Sequence, residues 1–253
     1  GSFFFASFIA YIKLLLWPIA LVFGAYVLFE LKKLNAHERG HALLMFGYFF
    51  LIIATYWLVK PIKKALLIGY YKESGWTVAG MHFDAAQVEL IAKEINLLLA
   101  ILATWLFARA AFHLKREKLS LAIMAFFAAG FLGFALLFYQ PGVATRWLFY
   151  FFGDFFATLM VAGFFAFLND SGDNQMARRL YGIIGLGGVL GGFFGSAVIA
   201  SYVKQVSPSG VAFMAIGALG IMALIAWFAG KRIAILPSET PEPPSPTGHS
   251  VWR

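Results

Sequence analysis

Cysteine is missing from all 253 residues, so no disulfide framework, thiolate metal site or cysteine nucleophile can exist. Charge is scarce too: 13% of the residues are Asp, Glu, Lys or Arg, about half the share of a soluble domain. That deficit excludes an ordinary water-facing surface. Acids are the rarer sign, 12 against 20 Lys and Arg, which gives a formal net charge of +8. The basic residues sit in short clusters between apolar stretches rather than along one soluble face. This arrangement points to membrane orientation and away from nucleic acid as a partner.

What is abundant is apolar: 61% of residues are hydrophobic and the mean hydropathy is +0.80. Seven runs, at 4–29, 41–59, 88–112, 119–139, 147–168, 180–203 and 211–230, are separated by short polar connections. A hydrocarbon core of ~30 Å demands about twenty such residues per helix. The expected fold class is therefore all-α, a polytopic bundle of transmembrane helices in a lipid bilayer. The first run is too long for a secretory signal and lacks a basic start and a small-residue cleavage site, so it is read as a span. The opening Gly1-Ser2 resembles a cloning scar or a processed end.

Basic residues follow alternate spans: Lys32, Lys33 and Arg39; Lys115, Arg116 and Lys118; Arg178 and Arg179; Lys231 and Arg232. The pattern expects an N-terminus outside and a C-terminus in the cytoplasm, in a bacterial inner membrane. Lys60, Lys63, Lys64 and Lys72 break it. If the second span continues as a helix past Pro61, the first three ammonium groups share one face and would suit a polyanion; otherwise they snorkel to the interface. The fifth run holds Asp154 about two turns in, where an acid is a cation's partner, a coupling group or a cap.

Two motifs have other readings. The glycine-rich run from Tyr181 to Ser196 follows no strand, so it is not a phosphate loop. Its small residues at Gly188, Gly192, Ser196 and Ala200 would let a neighbouring helix approach. His37-Glu38-Arg39-Gly40-His41 is a literal H-E-x-x-H, the zinc-hydrolase arrangement. It is read as lying in a polar connection, with Asp84 on the opposite membrane face and Asp170 without a supporting motif. The expectation is no metal, no cofactor and no enzyme activity.

From Glu38 to Arg232 the chain resembles the amino-terminal half of the nucleotide (ATP/ADP) translocases of plastids, intracellular bacteria and their free-living relatives. The resemblance rests on Glu38-Arg39 leading into Tyr48-Phe-Phe-Leu, on Leu58-Val-Lys-Pro-Ile-Lys-Lys-Ala-Leu, and on Phe167-Leu-Asn169-Asp170 followed by Ala177-Arg178-Arg179-Leu-Tyr-Gly-Ile-Ile-Gly-Leu-Gly-Gly. It implies one six-helix major-facilitator-like half at 37–232; the span at 1–36 is extra to the family's common core, and the Pro-rich stretch at 233–253 reads from its composition as a disordered tail or linker. It also implies exchange of a phosphorylated nucleotide by alternating access, with Lys60 and Lys63 at the positions of the family's cationic residues and Asp154 close to its acidic one; Lys64 and Asn169 complete the set of expected substrate-site residues. Tyr56, Trp57 and Tyr150 are candidates to stack a base. A second six-helix half, in cis or as a homodimer, would complete the site. Lys64 departs from the family, which more often carries an acid there. A non-transporting membrane scaffold or sensor on the same half-fold, and the zinc protease, are the other classes considered.

Overall fold

The computed structural model describes Val22, Gly24, Ala25, Tyr26, Phe29 and Lys32, then residues 36–73, 75–113, 116–170, 174–202 and 205–233. The expected first span, apart from those isolated helical positions, and the Pro-rich tail beyond 233 lie outside the described residues. Six long helices follow one another: α1 (Ala36–Tyr71), α2 (Ala85–His113), α3 (Arg116–Leu137), α4 (Val143–Asp170), α5 (Asn174–Tyr202) and α6 (Pro208–Ile233). Each holds a stretch long and apolar enough to cross a bilayer. In hydrocarbon every backbone N–H and C=O must bond within its own segment, which a helix achieves. The chain is an integral membrane protein with an all-α bundle.

One short element interrupts the helices. Between α1 and α2 the chain forms an antiparallel hairpin, β1 (Trp76–Val78) with β2 (Met81–Phe83), in register Trp76 to Phe83. Its turn residues Ala79 and Gly80 both have positive φ, at 51° and 77°, as a two-residue type I′ turn requires. Gly75, at φ 61°, bonds its amide to the Tyr71 carbonyl at 3.0 Å and so closes the end of α1. Asp84 and Gln87 then cap α2 reciprocally: each side chain accepts the other's backbone amide, at 2.8 and 2.9 Å.

The second span differs from expectation. α1 does not stop near residue 59 but runs 36 residues, straight through Pro61. Proline has no amide hydrogen, so the carbonyl of Trp57, four residues back, loses its intrahelical donor. The H-E-x-x-H segment likewise lies in the first turns of α1 rather than in a connection.

α1 is the hub, touching α2, α4, α5 and α6, while α3 packs on α4 and α6. Exchanging α1 with α4, α2 with α5 and α3 with α6 maps these neighbours onto one another. Thus α1–α5 corresponds to α4–α2, α1–α6 to α4–α3, and the pairs α1–α4 and α3–α6 map to themselves. Because α1 and α4 run antiparallel, the neighbour pattern of α1–α3 recurs in α4–α6 with its direction reversed, although α5 lies far more closely on α1 than α2 does on α4. Tyr48, Phe127, Phe131, Phe149, Phe156 and Phe164 fill the core, each 1% exposed or less. Their rings meet edge to face, as at Tyr48 and Phe164, 5.1 Å between centroids. The Tyr48 hydroxyl is satisfied by Ser120 Oγ at 2.7 Å. Lipid tails are as apolar as these rings, so close packing rather than water exclusion holds the helices together.

The glycine-rich helix α5 lies parallel to α1 at backbone contact. A Cβ on Gly187 would fall 2.7 Å from the carbonyl oxygen of Phe46. Gly191 and Gly195 meet the carbonyls of Phe50 and Ala54 in the same way. The row in backbone contact is therefore 187, 191 and 195, one residue away from the expected one. Gly188 and Gly192 meet the rings of Phe49 and Trp57 instead. Ser196 bonds back to the Gly192 carbonyl at 2.7 Å, and Ala200 is exposed.

Candidate functional site

Because α1 continues as a helix, Lys60, Lys63 and Lys64 occupy little more than one turn. At about 100° per residue the three lie within an arc of about 100° on one side of the helix, as expected, but their ammonium groups go to different partners. Lys63 points into the bundle and is 2% exposed. Its ammonium group is ion-paired with Asp154 of α4, lies 4.3 Å from the Tyr150 ring centroid and donates to the Tyr150 carbonyl at 3.4 Å. The stem of Lys63 lies on Gly153: a Cβ there would come within 2.9 Å of Lys63 Cδ. Lys63 precedes Tyr71 by eight residues, which places the pair ~12 Å below the end of α1.

Lys64 turns the other way. It bonds Glu89 of α2 at 2.6 Å, and Lys93 reaches the same carboxylate oxygen at 3.0 Å. Lys60 has a different environment, with its ammonium group 4.3 Å from the Trp57 ring centroid and 5.5 Å from that of Tyr56. Cation–π contact stabilises an ammonium group without neutralising it. Among the described residues, no carboxylate lies within ion-pair distance of Lys60.

Above the pair, at the hairpin end, Tyr71, Trp76, Phe83, Trp147 and Phe151 form a separate aromatic cluster. Trp147 Nε1 donates to the Tyr71 hydroxyl at 3.0 Å, and Arg146 donates to the Leu66 carbonyl at 3.4 Å. These contacts set the antiparallel register of α1 and α4, and that register brings Asp154 to Lys63.

The structure thus joins Lys60, Lys63, Lys64 and Asp154 into one neighbourhood. Asp154 lies three turns into α4 rather than two, because the helix begins at Val143. Asn169 is not part of the group. It follows Asp154 by fifteen residues, ~22 Å along the helix, and accepts a 2.7 Å hydrogen bond from Tyr181 near the start of α5. Tyr150 is buried beneath Lys63, at 2% exposure, leaving Tyr56 and Trp57 as the rings beside the uncompensated lysine. Glu89, Lys93 and Gly153 belong to the site and were not singled out from sequence. The spacing of Glu89 and Lys93, four apart on a helix, is the one local signal that could have marked them.

Among the described residues no three His, Asp or Glu side chains converge as a metal site would need. Within the H-E-x-x-H segment His41 is buried, at 4% exposure, and the side chain of His37 lies outside the described residues.

Compared with protein-family models, with curated proteins and with solved structures, the chain matches none.

An ammonium group at this depth is costly unless it is paired or faces water. Two of the three lysines answer that cost with carboxylates from other helices. Asp154 keeps 21% of its side chain exposed and Glu89 18%, so both counter-ions remain accessible. Lys60 is half-buried, whereas Lys63 is only 2% exposed, so an anion could reach Lys63 only if its pair with Asp154 opened.

Proposed function

We propose that the chain is one half of a membrane transporter that moves a phosphorylated nucleotide by alternating access. The observation that carries this reading is Lys60: a cation within a membrane-spanning helix, uncompensated by any acid among the described residues and flanked by Trp57 and Tyr56. Phosphate oxygens need ammonium groups, and a base needs an aromatic face. Lys63 and Lys64 add two further cations on the same stretch of helix, each held in reserve by an acid. The direction-reversed neighbour pattern agrees with a major-facilitator-like half, where the site faces a second half. That second half is supplied in cis or by another copy.

The orientation belongs to the same proposal. The end of the bundle opposite the hairpin collects Arg39, Arg116, Lys118, Arg178, Arg179, Lys231 and Arg232 in sequence. By the positive-inside rule that end lies in the cytoplasm of a bacterial inner membrane.

The test is ligand-dependent thermal stability of the complete transporter in detergent, across ATP, ADP, other nucleotides and inorganic phosphate. Binding to the folded state raises the melting temperature by mass action. A nucleotide-specific rise that disappears in Lys60→Ala supports the reading. The absence of any rise with any nucleotide or polyphosphate, all three lysines being intact, sinks it.

A further inference from the structure

Away from the lysines, α2 stands off from α3 and α4 and leaves an open crevice of about 460 Å³. Its walls are apolar, with Leu102, Ala103 and Leu106 of α2, Ala122 and Phe126 of α3, and Phe155 of α4. We propose that this crevice is a binding site for an anionic phospholipid of the leaflet at the basic end of the bundle. One acyl chain would lie between α2 and α3, and the headgroup phosphate would meet Arg109, His113 and Lys118.

Three observations commit the crevice to this occupant. The first is depth. On α2 the lining runs from Leu99 to Ala110, a rise of ~16 Å, which is close to half of a hydrocarbon core of ~30 Å. The crevice is thus one leaflet long and ends at one interface. The second is direction. Leu99, Leu102, Ala103, Leu106 and Ala110 recur at helical spacing, and the next position of that face is His113, the last residue of α2. Arg109 flanks the face, and Lys118 stands just before the first lining residue of α3, Leu119.

The third observation is charge. His113, Arg109 and Lys118 are all exposed, and among the described residues no carboxylate pairs with Arg109 or Lys118. Arg109 stands beside Trp105, 5.8 Å from its ring centroid, an aromatic–cation arrangement suited to the headgroup boundary. A zwitterionic headgroup carries its own ammonium group and would leave Arg109 and Lys118 uncompensated, whereas a net negative headgroup would not.

This inference is independent of the nucleotide reading. The experiment is thermal unfolding and native mass spectrometry of the full chain in nanodiscs of phosphatidylglycerol or of phosphatidylcholine. Wild type is expected to melt several degrees higher in phosphatidylglycerol and to retain that lipid on release from the disc. Ala122→Trp, which fills the crevice from an exposed position, should remove both effects. If that variant folds poorly, Arg109→Gln with Lys118→Gln, both at exposed positions, should bring the phosphatidylglycerol value down to the phosphatidylcholine value. Equal melting of wild type in the two lipids overturns the proposal, as does retention that neither substitution reduces. A chain that runs as a dimer in lipid-free detergent, and as a monomer only after Ala122→Trp, would show a second copy in the crevice and would also overturn it.

Discussion

Helices α5 and α2 hold equivalent places around the α1–α4 pair, yet they are attached in opposite ways. α5 lies against α1 with glycines at 187, 191 and 195 facing a row of backbone carbonyls. α2 is buried only at Val88, Ala92 and Ala103, and it presents Leu90, Leu98, Ile101 and Phe112 outward. Small residues let α1 and α5 approach until dispersion acts along the whole contact. α2 relies on a few apolar contacts and on one carboxylate, Glu89, shared by Lys64 and Lys93. The reversed neighbour pattern therefore yields one rigid flank and one loosely held flank, and the loose one carries the counter-ion of a candidate substrate lysine. Low contact density of this kind is where local opening concentrates.

The contrast can be broken at its pivot first. Asp154→Asn would leave the buried Lys63 ammonium group without its partner. Removing one member of a buried pair costs ~3–5 kcal/mol, and the partial exposure of Asp154 places the expected loss at the lower end. Thermal or denaturant unfolding in detergent measures it. A loss below about 1 kcal/mol would show the pair to be weakly coupled, as surface pairs are.

The next largest effect lies on the rigid flank. Gly187→Ala puts a methyl group against the Phe46 carbonyl and should cost ~1–3 kcal/mol, as overpacked sites do. Gly182→Ala on the same helix meets nothing within 4 Å and should be neutral or stabilise by up to about 1 kcal/mol through helix propensity. If both substitutions behaved alike, the close α1–α5 contact would be wrong.

The smallest effect sharpens the loose flank. Glu89→Gln should change global stability by less than about 1 kcal/mol, because its ion pairs are partly exposed. It should nevertheless speed amide hydrogen exchange in the first half of α2 while leaving α5 unchanged. Faster exchange spread evenly over both helices would remove the distinction between the flanks.

Much of this architecture was legible in the sequence, because lipid imposes length and apolarity on every span. The end of α1 was not. Lys60, Pro61, Lys63 and Lys64 read as a terminus, since they put three charges and a helix breaker into five positions. The helix continues because Asp154 and Glu89, from other helices, answer two of the charges, and no local pattern announces that. The glycine row was seen at the correct spacing and one residue out of register, since periodicity alone does not say which face meets a neighbour. The hairpin was missed although Ala79-Gly80 sits between two short alternating runs. Asp154 stood out as an acid in an apolar helix, but its partner depends on the antiparallel register of α1 and α4, a long-range property fixed near Tyr71 and Trp147.

Pro61 gives α1 two mechanical halves. Below it the helix is clamped to α5, and the last glycine contacts, at Gly192 and Gly195, reach Trp57. Above it the helix carries Lys63, Lys64, the hairpin and, through Glu89, α2. The missing hydrogen bond at the Trp57 carbonyl falls at the boundary between the halves, one helical turn from Lys60. A tilt of the upper half would swing two lysines relative to a third next to the clamp, so a bend at this one residue would change the spacing of the cations.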